Sequence, residues 1–298
     1  MVRVWVVGLL CLGTVGCPGW SERTGHLDGI TVLEDVSYAG GSSPVQAADF
    51  YLPAGNGPRP LALFVHGGLW SAQGRRFLQW LTGLYGGAGL ALARQGYSAG
   101  VLGYRQHPDV TAQGSLKDLA TAVAWTQANA AKVGGDPKCV VLVGHSAGAL
   151  FVSHLLLDKS HLTAAGGDPS GIAGVVLLAG LHVVEPTLKS LKADERAAVH
   201  TLFGATPAER TAWNPTTLPA TGTTVPILLL GGAKDNAELL EQQTAMVAAL
   251  KDQGVSVETA TLEGQDHMDL TPSRTHEAVA RHLNPFLARV AAGCAQRR

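Results

Sequence analysis

Residues 139–149 read Cys139-Val140-Val141-Leu142-Val143-Gly144-His145-Ser146-Ala147-Gly148-Ala149, and this stretch decides the fold. Its first five residues form a continuous, Val-rich apolar run, as in a strand covered on both faces. Residues 147–157 then read as a helix. A turn this tight between strand and helix forces Ser146 into a strained backbone conformation and lifts its hydroxyl off the sheet. Gly144 and Gly148 are needed because side chains there would collide with neighbouring backbone. The helix N-terminus behind Ser146 stabilises developing negative charge. A bare G-x-S-x-G is a weak signal, but a strand before it and a helix after it make it a nucleophile elbow.

Outward from this stretch, short apolar runs alternate with helical patterns. Strands are expected at 31–38, 45–52, 61–65, 97–104, 139–143, 172–178, 225–230 and 255–262. The first two alternate in polarity and lie close together, which suits an antiparallel start. The later ones are continuous apolar runs, as parallel strands are. Helices are expected at 77–95, interrupted by Gly86-Gly87, and at 115–133, 147–157, 237–253 and 274–292. Ser115 and Asp118 read as a capping box for the second of these. The alternation predicts an α/β fold: a mostly parallel eight-stranded sheet with helices on both faces. Residues 181–224 depart from it, with Pro186, Gly204, Pro207, Pro215 and Pro219 punctuating mixed helix and loop. They read as a small cap insertion at the sheet edge where ligands sit.

A serine hydroxyl needs a base to take its proton. Leu228-Leu229-Leu230-Gly231-Gly232-Ala233-Lys234-Asp235 is a strand running into a turn that ends in a carboxylate. Thr261-Leu262-Glu263-Gly264-Gln265-Asp266-His267 is the next strand running into a loop with a histidine. The order Ser, acid, His places His267 as the base and Asp235 as the residue that fixes its tautomer. Glu238 and Asp266 are the rival acids. Glu238 falls a turn into the helix, and Asp266 adjoins the histidine too closely to reach its ring easily. His145 points elsewhere on the turn, and His276 and His282 look structural. The run Leu61-Ala62-Leu63-Phe64-Val65-His66-Gly67-Gly68-Leu69-Trp70 ends a strand in HGG-x-W, the setting for an oxyanion hole. Its donors are the backbone N–H groups of Gly68 and Leu69, with that of Ala147 after the nucleophile. No His/Cys/Asp grouping has metal-ligand spacing, so neither metal nor cofactor is expected.

From about Tyr51 to Leu287 the chain resembles the lipase/esterase branch of the α/β-hydrolases. It is similar to the group with bacterial carboxylesterases, kynurenine formamidase and isoprenylcysteine methylesterase. The likeness rests on Tyr51-Leu52-Pro53, HGG-x-W at 66–70, Gly96-Tyr97, Tyr104-Arg105 and Leu116 through Trp125. Gly134-Gly135-Asp136-Pro137, GHSAG at 144–148, Leu202-Phe203-Gly204, Gly231-Gly232 with Asp235, and His267 complete it. The chain departs where the family often has HGGG, since position 69 is Leu; a backbone donor survives that change. The resemblance implies an α/β-hydrolase fold and hydrolysis of a small-molecule carboxylic ester of short to medium acyl length through a Ser146 acyl-enzyme. Amide or formamide hydrolysis is the alternative within the same machinery. A non-catalytic binding module is the alternative outside it, and requires an intact site to stand idle.

The bulk composition fits this reading. Of 298 residues, 46% are hydrophobic and 15% charged, which excludes a disordered chain, and the formal charge is −1 with no basic run, so nucleic acid is not an expected partner. No protein partner is implied. Residues 1–17 read as a signal peptide: Arg3, then an apolar stretch at 4–15 too short to span a bilayer. The end Thr14-Val15-Gly16-Cys17 resembles a bacterial lipoprotein signal, with lipid on Cys17 attaching the protein to a membrane. Ordinary cleavage nearby is the alternative. The expectation is an exported protein, in the cell envelope or secreted, with residues 18–30 as a polar arm and 31–298 as the hydrolase domain. Of the four cysteines, Cys11 leaves with the signal. Cys139 and Cys294 are too few for a disulfide framework, and one bridge between them stays open.

Overall fold

Alternate residues of the central strands face two separate cores. In the strand Arg59–Val65, Leu61, Leu63 and Val65 enter one apolar cluster while Ala62 and Phe64 enter the other. The same division holds in Gly135–His145, where Val140 and Leu142 part from Cys139, Val141 and Val143. A strand must be apolar at every position to satisfy both faces, which is why these runs lack alternation.

The structure is a computed structural model that describes residues 23–27, 29–41, 43–55, 57–70, 74–75, 84–187, 191–220, 222–272 and 277–297. The signal expected at 1–17, with Cys11 and Cys17, lies outside these residues. So do 18–22 of the arm, 77–83 of one expected helix, and 274–276 of another, with His276.

Nine strands are described: β1 Arg23–Leu27, β2 Ile30–Ser37, β3 Ala47–Pro53, β4 Arg59–Val65, β5 Ser98–Leu102, β6 Gly135–His145, β7 Ile172–Leu178, β8 Ile227–Gly232 and β9 Val257–Leu262. They form one sheet in the order β1-β2-β3-β5-β4-β6-β7-β8-β9. The ladders from β1 to β5 are antiparallel, and those from β5 through β4 to β9 are parallel. This is the α/β-hydrolase fold with a mostly parallel sheet, as the sequence predicts. The strand count is nine rather than eight. Residues 23–27, read as part of a polar arm, pair with Glu34 back to Ile30 as an edge strand. An edge strand has one neighbour and needs no apolar run, so its polar sequence concealed it.

Helices cover both faces. On one lie α2 (Ala112–Ala128), α3 (Ala147–Leu157) and α8 (Ala237–Asp252); on the other lie α1 (Leu84–Arg94) and α9 (Glu277–Gln296). Two local expectations fail. Gly86-Gly87 does not interrupt α1: Tyr85, Ala88, Leu92 and Ala93 are buried, and that burial outweighs the cost of about 1 kcal/mol per glycine. Ser115 is not an N-cap, since α2 already begins at Ala112 after Thr111. The buried Ser115 hydroxyl donates to the Arg105 carbonyl at 2.7 Å, and Asp118 accepts from Arg105 Nε and Nη2 at 2.8 and 2.7 Å. These two residues therefore tether the loop after β5 from inside the helix.

Between β7 and β8, residues 181–224 contribute α5 (Val184–Thr187), α6 (Ala193–Phe203), α7 (Pro207–Thr211) and a single turn at Pro215–Thr217; residues 188–190 and 221 are not described. The short α4 (Lys159–Ala164) follows α3. Cys139 on β6 and Cys294 on α9 are joined in a disulfide, both buried. The bridge spans 155 residues of chain and constrains the unfolded state by about 2–4 kcal/mol. It also fastens the last helix to the strand that ends at the elbow.

The connection after β4 runs to one side of the sheet and that after β6 to the other. The two strands are neighbours, so their carboxyl ends flank the switch point where open α/β sheets bind ligands. The HGG-x-W loop leaves one, and Ser146 stands at the end of the other.

Candidate active site

Ser146 has φ 54° and ψ −124°, left-handed backbone that costs a residue with a side chain about 1–3 kcal/mol. Three hydrogen bonds hold it there. Its N–H donates to the Leu178 carbonyl at 2.9 Å, and its own carbonyl accepts from Ala149 and Leu181 N–H at 3.0 and 3.1 Å. Close approach explains the flanking glycines. A Cβ on Gly148 would lie 2.3 Å from the Val65 carbonyl oxygen, and one on Gly144 would lie 2.6 Å from Ala149 Cα. The elbow is thus pressed against the end of β4.

The loops after β8 and β9 are stitched together by Ala233 N–H on the Leu262 carbonyl and Lys234 N–H on the Gln265 carbonyl, both 2.9 Å. That brings Asp235 to His267. His267 Nδ1 donates to Asp235 Oδ2 at 3.0 Å, and its Nε2 lies 2.9 Å from Ser146 Oγ. A carboxylate only accepts, so Nδ1 carries the ring proton and Nε2 is left to accept the serine hydroxyl. The Asp235 side chain is 4% exposed and that of His267 30%. The acid is therefore shielded while the imidazole edge reaches solvent.

The rival acids are elsewhere. Asp266 accepts from the N–H groups of Met268 and Asp269 at 2.9 and 3.0 Å, closing its own turn. Glu238 lies in the first turn of α8 and makes no hydrogen bond to His267 among the described residues. His282 is exposed on α9.

The His145 ring is buried, and its Nε2 donates to the His267 backbone carbonyl at 3.0 Å. Burial pushes its pKa down to about 3, so the ring is a neutral donor. Its adjacency to Ser146 is the only signal in the sequence for this contact. His182, after β7, is also fully buried, and burial likewise lowers it to about 3.

The HGG-x-W loop is held from several sides. His66 is buried between the rings of Tyr85 and Tyr104, with centroids 5.3 and 4.6 Å away, and burial lowers its pKa to about 4. The Tyr104 hydroxyl donates to the His66 carbonyl at 2.9 Å. Gly67 lies so close to Ser146 that a Cβ there would meet Ser146 Cβ at 2.7 Å. Gly68, Leu69 and Trp70 follow with φ of 111°, 49° and 58°. The fully buried Trp70 donates its indole N–H to the Ala147 carbonyl at 3.0 Å, and its own carbonyl accepts from His107 N–H at 3.0 Å. The loop with Gly68 and Leu69 is thereby laced to the first residue of α3. Among the described residues no group of His, Cys, Asp and Glu has the geometry to hold a metal ion.

Residues 48–250 match the model of the BD-FAE family. The chain belongs to this family. Among curated proteins it is 26% identical to the isoprenylcysteine alpha-carbonyl methylesterase of Arabidopsis thaliana over 284 residues, covering 89% of this chain and 63% of that protein. The chain thus spans less than two thirds of that relative's length. Among solved structures it superposes on esterase B of Lactobacillus rhamnosis with a TM-score of 0.74 at 21% identity, over 91% of this chain and 88% of that one. A truncated carbohydrate esterase from gut microbiota also gives 0.74, at 17% identity over 92% and 99%. As a BD-FAE family member the chain carries the α/β-hydrolase fold of these esterases.

Proposed function

We propose that the chain is a serine hydrolase that cleaves a carboxylic ester through an acyl-enzyme on Ser146. The observation that carries this is the continuous hydrogen-bonded chain from Ser146 Oγ through His267 to Asp235. His267 Nε2 takes the serine proton as Oγ attacks the ester carbonyl. Asp235 stabilises the resulting imidazolium. The backbone N–H groups of Gly68, Leu69 and Ala147 receive the oxyanion, each donor lowering the barrier by about 3 kcal/mol. His267 then passes its proton to the leaving alcohol, and water activated by the same imidazole releases the acid.

The substrate is a small-molecule ester with a short to medium acyl chain. The Arabidopsis relative, a methylesterase, supports an ester as substrate, and esterase B, crystallised inhibited by a C4-C4 tributyrin phosphonate, supports the acyl length. The insertion at 181–224 acts as a cap that bears on substrate choice. The test is a panel of p-nitrophenyl esters from acetate to palmitate, with the matching anilides. The expected result is kcat/KM highest at eight carbons or fewer, with esters above anilides. A maximum at palmitate would overturn the acyl length, and anilides above esters would make the enzyme an amidase.

For location, we propose export, with 1–17 as the signal and lipid on Cys17 anchoring the protein in the cell envelope. The Cys139–Cys294 disulfide supports an oxidising compartment. Mass spectrometry of the mature N-terminus tests this. A diacylated Cys17 is expected, and an unprocessed Met1 would refute export.

A further inference from the structure

Leu202-Phe203-Gly204 ends α6 in the insertion, far in sequence from the catalytic loops. Phe203 is nevertheless buried with its ring edge-on to Trp70, centroids 4.7 Å apart and planes at 76°. Trp70 in turn donates its indole N–H to the Ala147 carbonyl. Phe203 also meets Trp213 at 5.5 Å and 72°. The Trp213 carbonyl accepts from His154 Nε2 on α3 at 3.1 Å. Phe203 therefore closes a ring of contacts that leaves the nucleophile helix through Ala147 and returns to it through His154.

The chain around Phe203 is built to keep it there. Gly204 has φ 121°, and a Cβ on it would lie 2.3 Å from Glu209 Cβ, so the chain doubles back at once onto α7. Arg210, with its side chain 4% exposed, donates through Nη1 to the Gly204 and Ala205 carbonyls at 2.8 Å each. Its Nε and Nη2 hold both oxygens of Glu185 at 2.7 Å. A capping box at Thr206 and Glu209 fixes the next turn. A guanidinium with this many directed bonds sets geometry as well as charge. Leu69 and Trp70, two non-glycine residues with positive φ, need such outside support to persist.

We propose that Phe203 is a positioning residue for the oxyanion loop, acting through Trp70 to fix where the N–H groups of Gly68 and Leu69 point. The insertion thus helps set the rate of the chemical step as well as the choice of substrate. This rests on the serine-hydrolase reading above.

The test is steady-state kinetics of the full chain with p-nitrophenyl acetate, comparing wild type, Phe203→Ala and Phe203→Leu, each checked for cooperative melting. Phe203→Ala should lower kcat about thirtyfold with KM within about threefold of wild type, as expected for misplacing oxyanion donors by under an ångström. Affinity for a boronic acid, whose tetrahedral adduct places an oxygen in the hole, should fall by a similar factor. Phe203→Leu fills the space without a ring edge and should fall between the two. Unchanged kcat in a folded Phe203→Ala, or a loss confined to KM, would overturn the proposal. If Phe203→Ala does not fold, wild-type kcat in Phe203→Leu overturns it equally. A wild type without turnover on any ester would remove the serine-hydrolase reading and this inference together. An active wild type with indifferent variants removes this inference alone.

Discussion

Asp235→Asn is expected to lower kcat/KM by about 10⁴ while the protein stays folded. The reason lies in the two bonds of the carboxylate. Oδ1 accepts from the Asn236 N–H at 3.0 Å and Oδ2 from His267 Nδ1 at 3.0 Å. An amide in this place keeps its oxygen on Asn236 N–H and turns its NH₂ toward His267. Nδ1 must then accept, the ring proton moves to Nε2, and Nε2 points a donor at Ser146 where a base is needed. The substitution is close to isosteric, so the melting temperature should move by only a few degrees. Steady-state kinetics beside a melting curve check this. Activity within tenfold of wild type would return the acid role to Glu238 or Asp266.

Gly148→Ala should also lower activity, less steeply and by a different route. The added Cβ would meet the Val65 carbonyl oxygen at 2.3 Å and that of His66 at 2.6 Å. Both are main-chain atoms at the end of β4, so no side chain can yield. Relief requires the elbow and the oxyanion loop to move apart. The expected stability loss is about 3 kcal/mol, a fall of roughly 5–10 °C in Tm for a domain of this size. Separating nucleophile from oxyanion donors should cost at least about a hundredfold in kcat. Gly293→Ala is the control. Nothing lies within 4 Å of a Cβ there, on a helix, so it should be neutral or stabilising by up to about 1 kcal/mol. Wild-type melting and turnover in Gly148→Ala would contradict the account of the elbow.

The parts legible in the sequence were those governed by one local rule. β7 falls at the expected 172–178 and α3 at 147–157, because each is mostly apolar and bounded by a sharp turn. The meeting of Asp235 with His267 was legible because each ends a strand-then-loop pattern at the same sheet edge. What the sequence concealed depends on contacts between distant segments. β1 is polar because an edge strand need not be apolar. Ser115 and Asp118 have the spacing of a cap, yet serve Arg105 on a neighbouring loop. The Cys139–Cys294 bridge needs a residue on one face of β6 to meet one face of α9, a pairing no spacing within 155 residues of chain reveals. Phe203 falls in the same class, since the Leu-Phe-Gly motif shows a helix end but not the tryptophan it meets.

The most direct measurement of the central claim is active-site labelling of the folded full chain with a fluorophosphonate, followed by intact-mass analysis and peptide mapping. The account predicts one adduct per chain on Ser146, none on Ser146→Ala, and much slower labelling of His267→Ala. A folded wild type that stays unlabelled beside a labelled control serine hydrolase would contradict it, as would an adduct on a residue other than Ser146.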